Sequence, residues 1–242
     1  MTAPADRHDG GLPVAWLPLA AGLLVLFTIH AAWLVSAHFG HVAWCNPYLD
    51  SCTSISATGR QLPAKLFFKP LVTLGAVAAA VTWLLAAHWL ALCGDGAVRT
   101  RRAMAVLGAL AAVFLVGYTA GLGEGGDTAR ILRRVGVSLG FGCTFLCQVL
   151  LLARLSAWRG PAQVLRGVYP AMAFLVLLLF VLGFSSVFLA AFHPAYGRMD
   201  DAFEWWFALL LNLHFPLLAL LWHRHGWHLH VRHGTGRQGA SE

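Results

Sequence analysis

Six runs of mainly apolar residues, at 13–37, 70–92, 103–122, 137–158, 171–193 and 203–222, fill most of this 242-residue chain. A helix crossing the hydrocarbon core of a bilayer needs about 20 such residues. Inside lipid the backbone must satisfy its own hydrogen bonds, which a helix does. None of the six runs contains a lysine, and Arg154 is their one arginine. Charged residues make up 11% of the chain, less than half the roughly 25% of a soluble domain. The runs leave no room for a separate soluble domain. The expectation is therefore an all-α protein: one polytopic bundle of six transmembrane helices, flanked by short tails at 1–12 and 223–242.

The first run is longer than the apolar stretch of a secretory signal, and Arg7 is the only positive side chain before it, so it is read as a retained helix. The net charge of +7 does not suggest nucleic acid. The basic residues are scattered over short loops and form no basic face interleaved with aromatics. They serve better as a topology signal, because Lys and Arg favour cytoplasmic loops. With the N-terminus inside, ten Lys or Arg fall on the inner side and seven on the outer. Both termini are therefore expected in the cytoplasm, and the loop at 38–69 faces outward.

That loop contains "CNPYLDSCTSISATGRQLP", residues 45–63, a polar stretch in an apolar chain. On an oxidising side a disulfide between Cys45 and Cys52 is permitted; the alternative is two free thiols. Cys93, Cys143 and Cys147 suit apolar packing better than metal ligation, so no metal site is expected. Ser51, Thr53, Ser54, Ser56 and Thr58 lie near His38, His41 and Asp50 in sequence. A Ser-His-Asp set could be drawn from them, but no G-x-S-x-G elbow is present, and no catalytic residue is assigned. Hydroxyls with Pro and Gly also order a loop without doing chemistry. Twelve histidines raise the question of haem. His30, His88 and His214 have some depth but form no matched pair on two helices, so no cofactor is expected. The histidines after 222 could chelate a metal, or lie as a cationic segment on the membrane surface.

Ionisable groups in apolar segments are the natural functional candidates. In "DDAFEWWFALLLNLHF", residues 200–215, Glu204 opens the last run. Asn212 follows about two turns later on nearly the same face, with His214 deeper on a neighbouring one. These three either bond between helices or line a polar cavity. Arg60, Arg130 and Arg134, with Lys65 and Arg133, fall on the outer side. A guanidinium matches phosphate geometry, so lipid headgroups are natural partners; pairing with Glu124, Asp127, Asp200 or Asp201 is the alternative. Asp127 is a plausible N-cap for the helix that carries Arg130 and Arg134 one turn apart. Gly136 and Gly140, "GALAA" at 108–112 and "GAVAAA" at 75–80 supply small faces for close helix contact.

Two stretches together resemble a known family. "NPYLDSCTSISATG" (46–59) resembles the first-loop signature of the Frag/DRAM/Sfk family of six-helix membrane proteins, and "FEWWFALLLNLHF" (203–215) resembles its last helix. Helix order and chain length agree as well. The matching positions are Ser54, Ile55, Ser56, Gly59, Glu204, Asn212 and His214. The chain departs in having Cys52-Thr53 before the signature, where animal members carry a proline. The family includes proteins that remodel the lipid of GPI anchors. The resemblance thus implies a protein that binds or helps remodel membrane lipid at the outer leaflet, with lipids or a lipid-anchored protein as partners. A non-enzymatic scaffold or regulator is the alternative, ahead of a transporter. Fifteen arginines against two lysines, with abundant alanine, suggest a bacterial relative in the plasma membrane.

Overall fold

The computed structural model describes residues 11–194 and 196–229. Arg7, Arg232, Arg237 and the histidines beyond 229 lie outside the described residues. Among the described residues six helices are long and apolar enough to span a membrane: α1 (Trp16–His38), α3 (Ala64–Leu92), α4 (Val98–Gly121), α5 (Gly126–Ala157), α7 (Val168–Phe192) and α8 (Asp200–His225). Two single-turn helices, α2 (Ile55–Thr58) and α6 (Ala162–Leu165), lie in loops. A 3-10 turn, Tyr196–Arg198, precedes α8. A two-residue strand β1 (Leu12–Pro13) pairs antiparallel with β2 (His228–Leu229), which ties the described ends of the chain together.

Most helices run past their apolar runs. α3 starts at Ala64 rather than 70, α4 at Val98 rather than 103, and α8 continues to His225 rather than 222. Hydropathy marks only the hydrocarbon stretch, about 30 Å thick, whereas helical bonding continues through the headgroup zone, where charged side chains stay solvated. Lys65 and Lys69 therefore sit in the first turns of α3. Asp127 does not cap α5. The N-cap is Gly125, and Asp127 lies in the first turn, where its charge suits the positive helix end.

Small residues set the helix contacts. A side chain at Gly136 would meet the Phe114 carbonyl at 2.6 Å, and one at Gly140 would meet Leu115 at 2.8 Å, so α4 and α5 touch nearly backbone to backbone. Gly22 brings α1 against α8, where a Cβ would lie 2.7 Å from the Asn212 carbonyl. Gly75 does the same for α3 against Val25, and Gly108 receives the face of Trp83. α8 is the central helix, with eleven buried residues. α7 is peripheral: only Val168, Met172, Val176 and Leu179 are buried, and Phe174, Phe180, Phe184, Phe188 and Phe192 face outward. A helix that is apolar all round tolerates this only with lipid as its neighbour.

The core has two main parts. Near the chain termini, Trp83, Trp89, Leu151, Leu155, Met172, Leu218 and Trp222 pack together. Toward the first loop, Ile29, Ile55, Phe68, Tyr118, Leu122 and Trp205 do so.

Candidate functional site

The loop after α1 is built as a lid over the end of the bundle. Cys45 and Cys52 are bonded in a disulfide, closing its first half. Asn46 accepts from the Tyr48 N–H, and Asp50 accepts from the Asn46 N–H, which orders the loop between the cysteines. Ser54 is the N-cap of α2 and accepts from the Ala57 N–H at 3.2 Å. Ser56 lies 3.2 Å from Ser54, hydroxyl to hydroxyl. Thr58 bonds back to the Ile55 carbonyl, and its own carbonyl accepts from Ser36 on α1. Gly59 is required by space, since a Cβ there would lie 2.5 Å from the Phe68 ring.

Helix α8 holds this loop from the other side. Trp205 donates its indole N–H to the Thr53 carbonyl at 2.8 Å, and Trp206 donates to the Tyr48 carbonyl at 3.1 Å. The Ala202 N–H donates to Ser51 Oγ. The Glu204 carboxylate accepts from the backbone N–H groups of Ile55 and Ser56. The Ile55 and Ser56 N–H groups, which have no helical partner at the start of α2, are thereby satisfied, and the Ala57 N–H is shared between the Ser54 carbonyl and hydroxyl. Tyr48 completes the lid. His30 Nδ1 lies 2.7 Å from the Leu26 carbonyl, which can only accept; in the neutral ring Nε2 is then an acceptor, and the Tyr48 hydroxyl donates to it at 2.8 Å. Burial pushes the Tyr48 phenol up to about 12.

Beside the lid, α7 packs on α8 through Leu179 against Leu210 and Leu211 but stands off from α5. The gap is a cavity of about 700 Å³. Its walls are Val137, Phe141 and Phe145 on α5, Leu179, Phe180 and Phe184 on α7, and Phe203, Phe207 and Leu211 on α8. Phe180 and Phe184 are 60% and 67% exposed, so the gap opens sideways as a groove where a bilayer's acyl chains would lie. Polar lining includes Asp200, Glu204, Ser186 and Tyr196, of which the last two bond to each other. Glu204 also lines a smaller inner cavity of about 70 Å³ with Ile55, Tyr118, Asn212 and apolar neighbours. It thus stands between the interior, the lid and the groove.

The predicted residues divide accordingly. Glu204 and Asn212 line the same inner cavity, and Ser54, Ser56 and Gly59 lie in the lid that Glu204 holds. Asn212 donates to the Ala208 carbonyl of its own helix. His214 is not brought to them. It is fully buried against Trp83, and neither ring nitrogen has a partner among the described residues. Arg130 is exposed and pairs with Asp127 at 3.4 Å. Arg134 is exposed, with no partner among the described residues. Arg60 is exposed at the end of the lid, with no ion pair among the described residues.

The Ser-His-Asp set is not assembled. Ser54 caps α2, His41 bonds to the Leu62 carbonyl, and Asp50 holds the Asn46 N–H. His30, His88 and His214 do not converge: His30 serves Tyr48, His88 faces outward and His214 lies against Trp83.

Several anchors were not singled out beforehand. Trp205 and Trp206 are two of these. Arg133 turns back to donate to the Gly121 and Glu124 carbonyls. Glu124, by contrast, is among the alternative partners expected for Lys65, and it sits between Lys65 and Lys69 at 3.1 and 3.2 Å. These two ammonium groups hold its carboxyl below the usual carboxylate range. At the opposite end, Arg154 grips Asp95 with two hydrogen bonds of 3.1 and 2.6 Å, and Arg101 lies 4.0 Å away. Burial alone would push the Asp95 carboxyl up. The Arg154 hydrogen bonds, the Ala97 N–H and the two guanidinium charges outweigh it and hold the carboxyl below its ordinary value.

A six-helix bundle with a lid over one end and a lipid-side groove beside it defines a polytopic integral membrane protein. Residues 13–220 match the family described as the Frag1/DRAM/Sfk1/Cwh43P N-terminal domain, and the chain belongs to that family. No curated protein and no solved structure matches it.

Proposed function

We propose that this protein binds a membrane lipid in the groove between α5, α7 and α8 and helps remodel it at the outer leaflet, in a bacterial plasma membrane. The observation that carries the reading is the groove itself. Its volume falls in the range of about 300–1,000 Å³ typical of small-molecule sites, its walls are mainly phenylalanine and leucine, and its charged groups gather at the lid end. An acyl chain suits such walls, and a headgroup suits that end. Arg134 and Arg130 on α5, with Arg60 on the lid, are the cations nearest in kind to a phosphate site. The excess of arginine on the termini side of the sequence supports an outward lid.

Filling the groove tests this. Gly142 has open space where its side chain would be, and at Gly183 the nearest atoms are 3.8 Å away. Gly142→Trp and Gly183→Trp are expected to strip co-purified lipid, read by native mass spectrometry, while leaving thermal stability near that of the wild type. Lipidomics of a deletion strain separates binding from remodelling, because an unchanged acyl and headgroup profile would count against a remodelling role. A second reading, a scaffold without catalysis, is favoured by the committed state of the signature residues: Ser54 and Glu204 both serve backbone N–H groups. On that reading the groove would seat a helix or lipid anchor of a partner protein.

A further inference from the structure

The mouth of the groove is charged on both sides, with opposite sign. On the α8 side stand Asp200, Asp201 and Glu204, near enough to act on one another. None forms an ion pair with a lysine or arginine among the described residues, where the ion pairs use Asp95, Glu124 and Asp127. Arg198 is close in sequence but exposed and not paired with them. Glu204 is met only by the N–H groups of Ile55 and Ser56, and no cation is paired with it among the described residues. Asp200 and Glu204 line the groove itself.

On the α5 side, Ser138 and Gly142 belong to the groove wall. Arg134 is one turn before Ser138 in the same i, i+4 row, so it continues that wall beyond the apolar part. It is exposed and has no partner among the described residues. The two sides also match in height. Gln148 on α5 donates to the Leu211 carbonyl on α8 at 2.9 Å, which ties the helices at one level. From that tie, Arg134 lies about 21 Å and Asp200 about 17 Å toward the lid, at about 1.5 Å of rise per residue.

We infer that the groove takes a zwitterionic aminophospholipid of the ethanolamine class, with its phosphate against Arg134 and its ammonium among Asp200, Asp201 and Glu204. This rests on the reading of the groove as a lipid site. An ethanolamine ammonium offers three N–H donors to carboxylates; a choline headgroup offers none, and a glycerol headgroup carries no cation. Hydrogen bonds between ionised partners are the strong ones, and they gain strength at the edge of a low-dielectric groove.

The test is native mass spectrometry of the full-length protein released from nanodiscs. The discs contain equal amounts of ethanolamine, choline and glycerol phospholipids with identical acyl chains. The ethanolamine lipid should be retained several-fold over the other two. The isosteric double variant Asp200→Asn/Asp201→Asn should still hold lipid but lose the preference. Arg134→Gln should lower retention of all three, since each carries a phosphate. Equal retention in the wild type, a preference for the glycerol lipid, or a preference that survives the Asn pair overturns the headgroup assignment. If Gly142→Trp strips the lipid while no preference exists, the headgroup assignment fails and the groove stands. If Gly142→Trp strips nothing, both fail.

Discussion

Each end of the bundle holds one carboxylate between two cations, and the two clusters differ in burial. Glu124 sits between Lys65 and Lys69 near the lid, with its side chain 56% exposed. Asp95 sits between Arg154 and Arg101 near the termini, with its side chain 7% exposed. Their surroundings differ too. Seven Lys or Arg fall at the lid end with six carboxylates: Asp50, Glu124, Asp127, Asp200, Asp201 and Glu204. At the termini end the described residues include seven arginines and one carboxylate, Asp95. The lid end is thus nearly balanced, and the lid is held without ion pairs, by indole to carbonyl and by backbone N–H to Ser51 and Glu204. The termini end has a large positive surplus and one buried charge cluster. A surplus of this sign is what an anionic cytoplasmic leaflet attracts, and it comes from the same arginines on which the expected topology rests.

If contacts other than ion pairs hold the lid, removing the largest of them should have the largest effect. Trp205 is fully buried and ties the lid to α8 through its indole N–H. Trp205→Ala is expected to cost about 3 kcal/mol, from the cavity left behind and the orphaned Thr53 carbonyl. A fall in melting temperature in detergent checks this, together with faster proteolysis between residues 39 and 63. A variant as stable as the wild type would mean that the lid is held elsewhere.

The termini end should break through charge. Asp95→Ala leaves Arg154 and Arg101 partly buried without a counter-ion, at roughly 2 kcal/mol. The same site predicts a pH dependence. The folded carboxyl titrates below its ordinary value of about 4, so its contribution is complete above that value and is lost as the pH falls through the lowered folded one. Wild-type melting temperature should therefore drop more steeply than that of Asp95→Asn below about pH 4. Parallel curves would remove Asp95 as the organiser of that end.

Much of this was legible in the chain, and the gaps have physical causes. The six helices follow from apolar length alone, and Gly136, Gly140, Gly108 and Gly75 mark real close contacts because small residues in lipid have little other use. The resemblance marks both the "SIS" loop and Glu204, but nothing in the sequence gives the form of their contact. A backbone N–H carries no side-chain signature, so a carboxylate serving Ile55 and Ser56 reads like any interfacial glutamate. The groove was invisible for a different reason. It exists because α7 stands off from α5, and a helix apolar on every face gives no sign of which face lacks a protein neighbour. His214 shows the converse, since its sequence proximity to Asn212 did not place it in the same cavity.

The disulfide should matter less than either anchor. Cys45 and Cys52 are seven residues apart, and a loop that short removes little entropy from the unfolded chain, so Cys45→Ser/Cys52→Ser is expected to cost up to about 2 kcal/mol. Trp205, Trp206 and Ser51 would still hold the lid. Mass spectrometry before and after reduction identifies the bond, and the melting temperature gives its effect. A loss larger than that of Trp205→Ala would reverse the order proposed for the lid.

Glu124→Ala should have the smallest effect, and it is the most direct test of the contrast between the ends. Glu124 has as many cationic partners as Asp95, and its carboxyl is also held below the usual range. If the number of ion pairs decided stability, the two substitutions would rank alike. Exposure argues otherwise. In water the attraction is weak, the long lysine chains lose freedom when they are held, and salt screens what remains. The expected outcome is a melting temperature within experimental scatter of the wild type, at low and at high salt. Arg133 still holds the turn, because it donates to the carbonyls of Gly121 and Glu124, which the substitution keeps. A clear loss at low salt that disappears at high salt would show that this exposed cluster does support the lid end, and the division between a neutral end and a charged end would have to be redrawn.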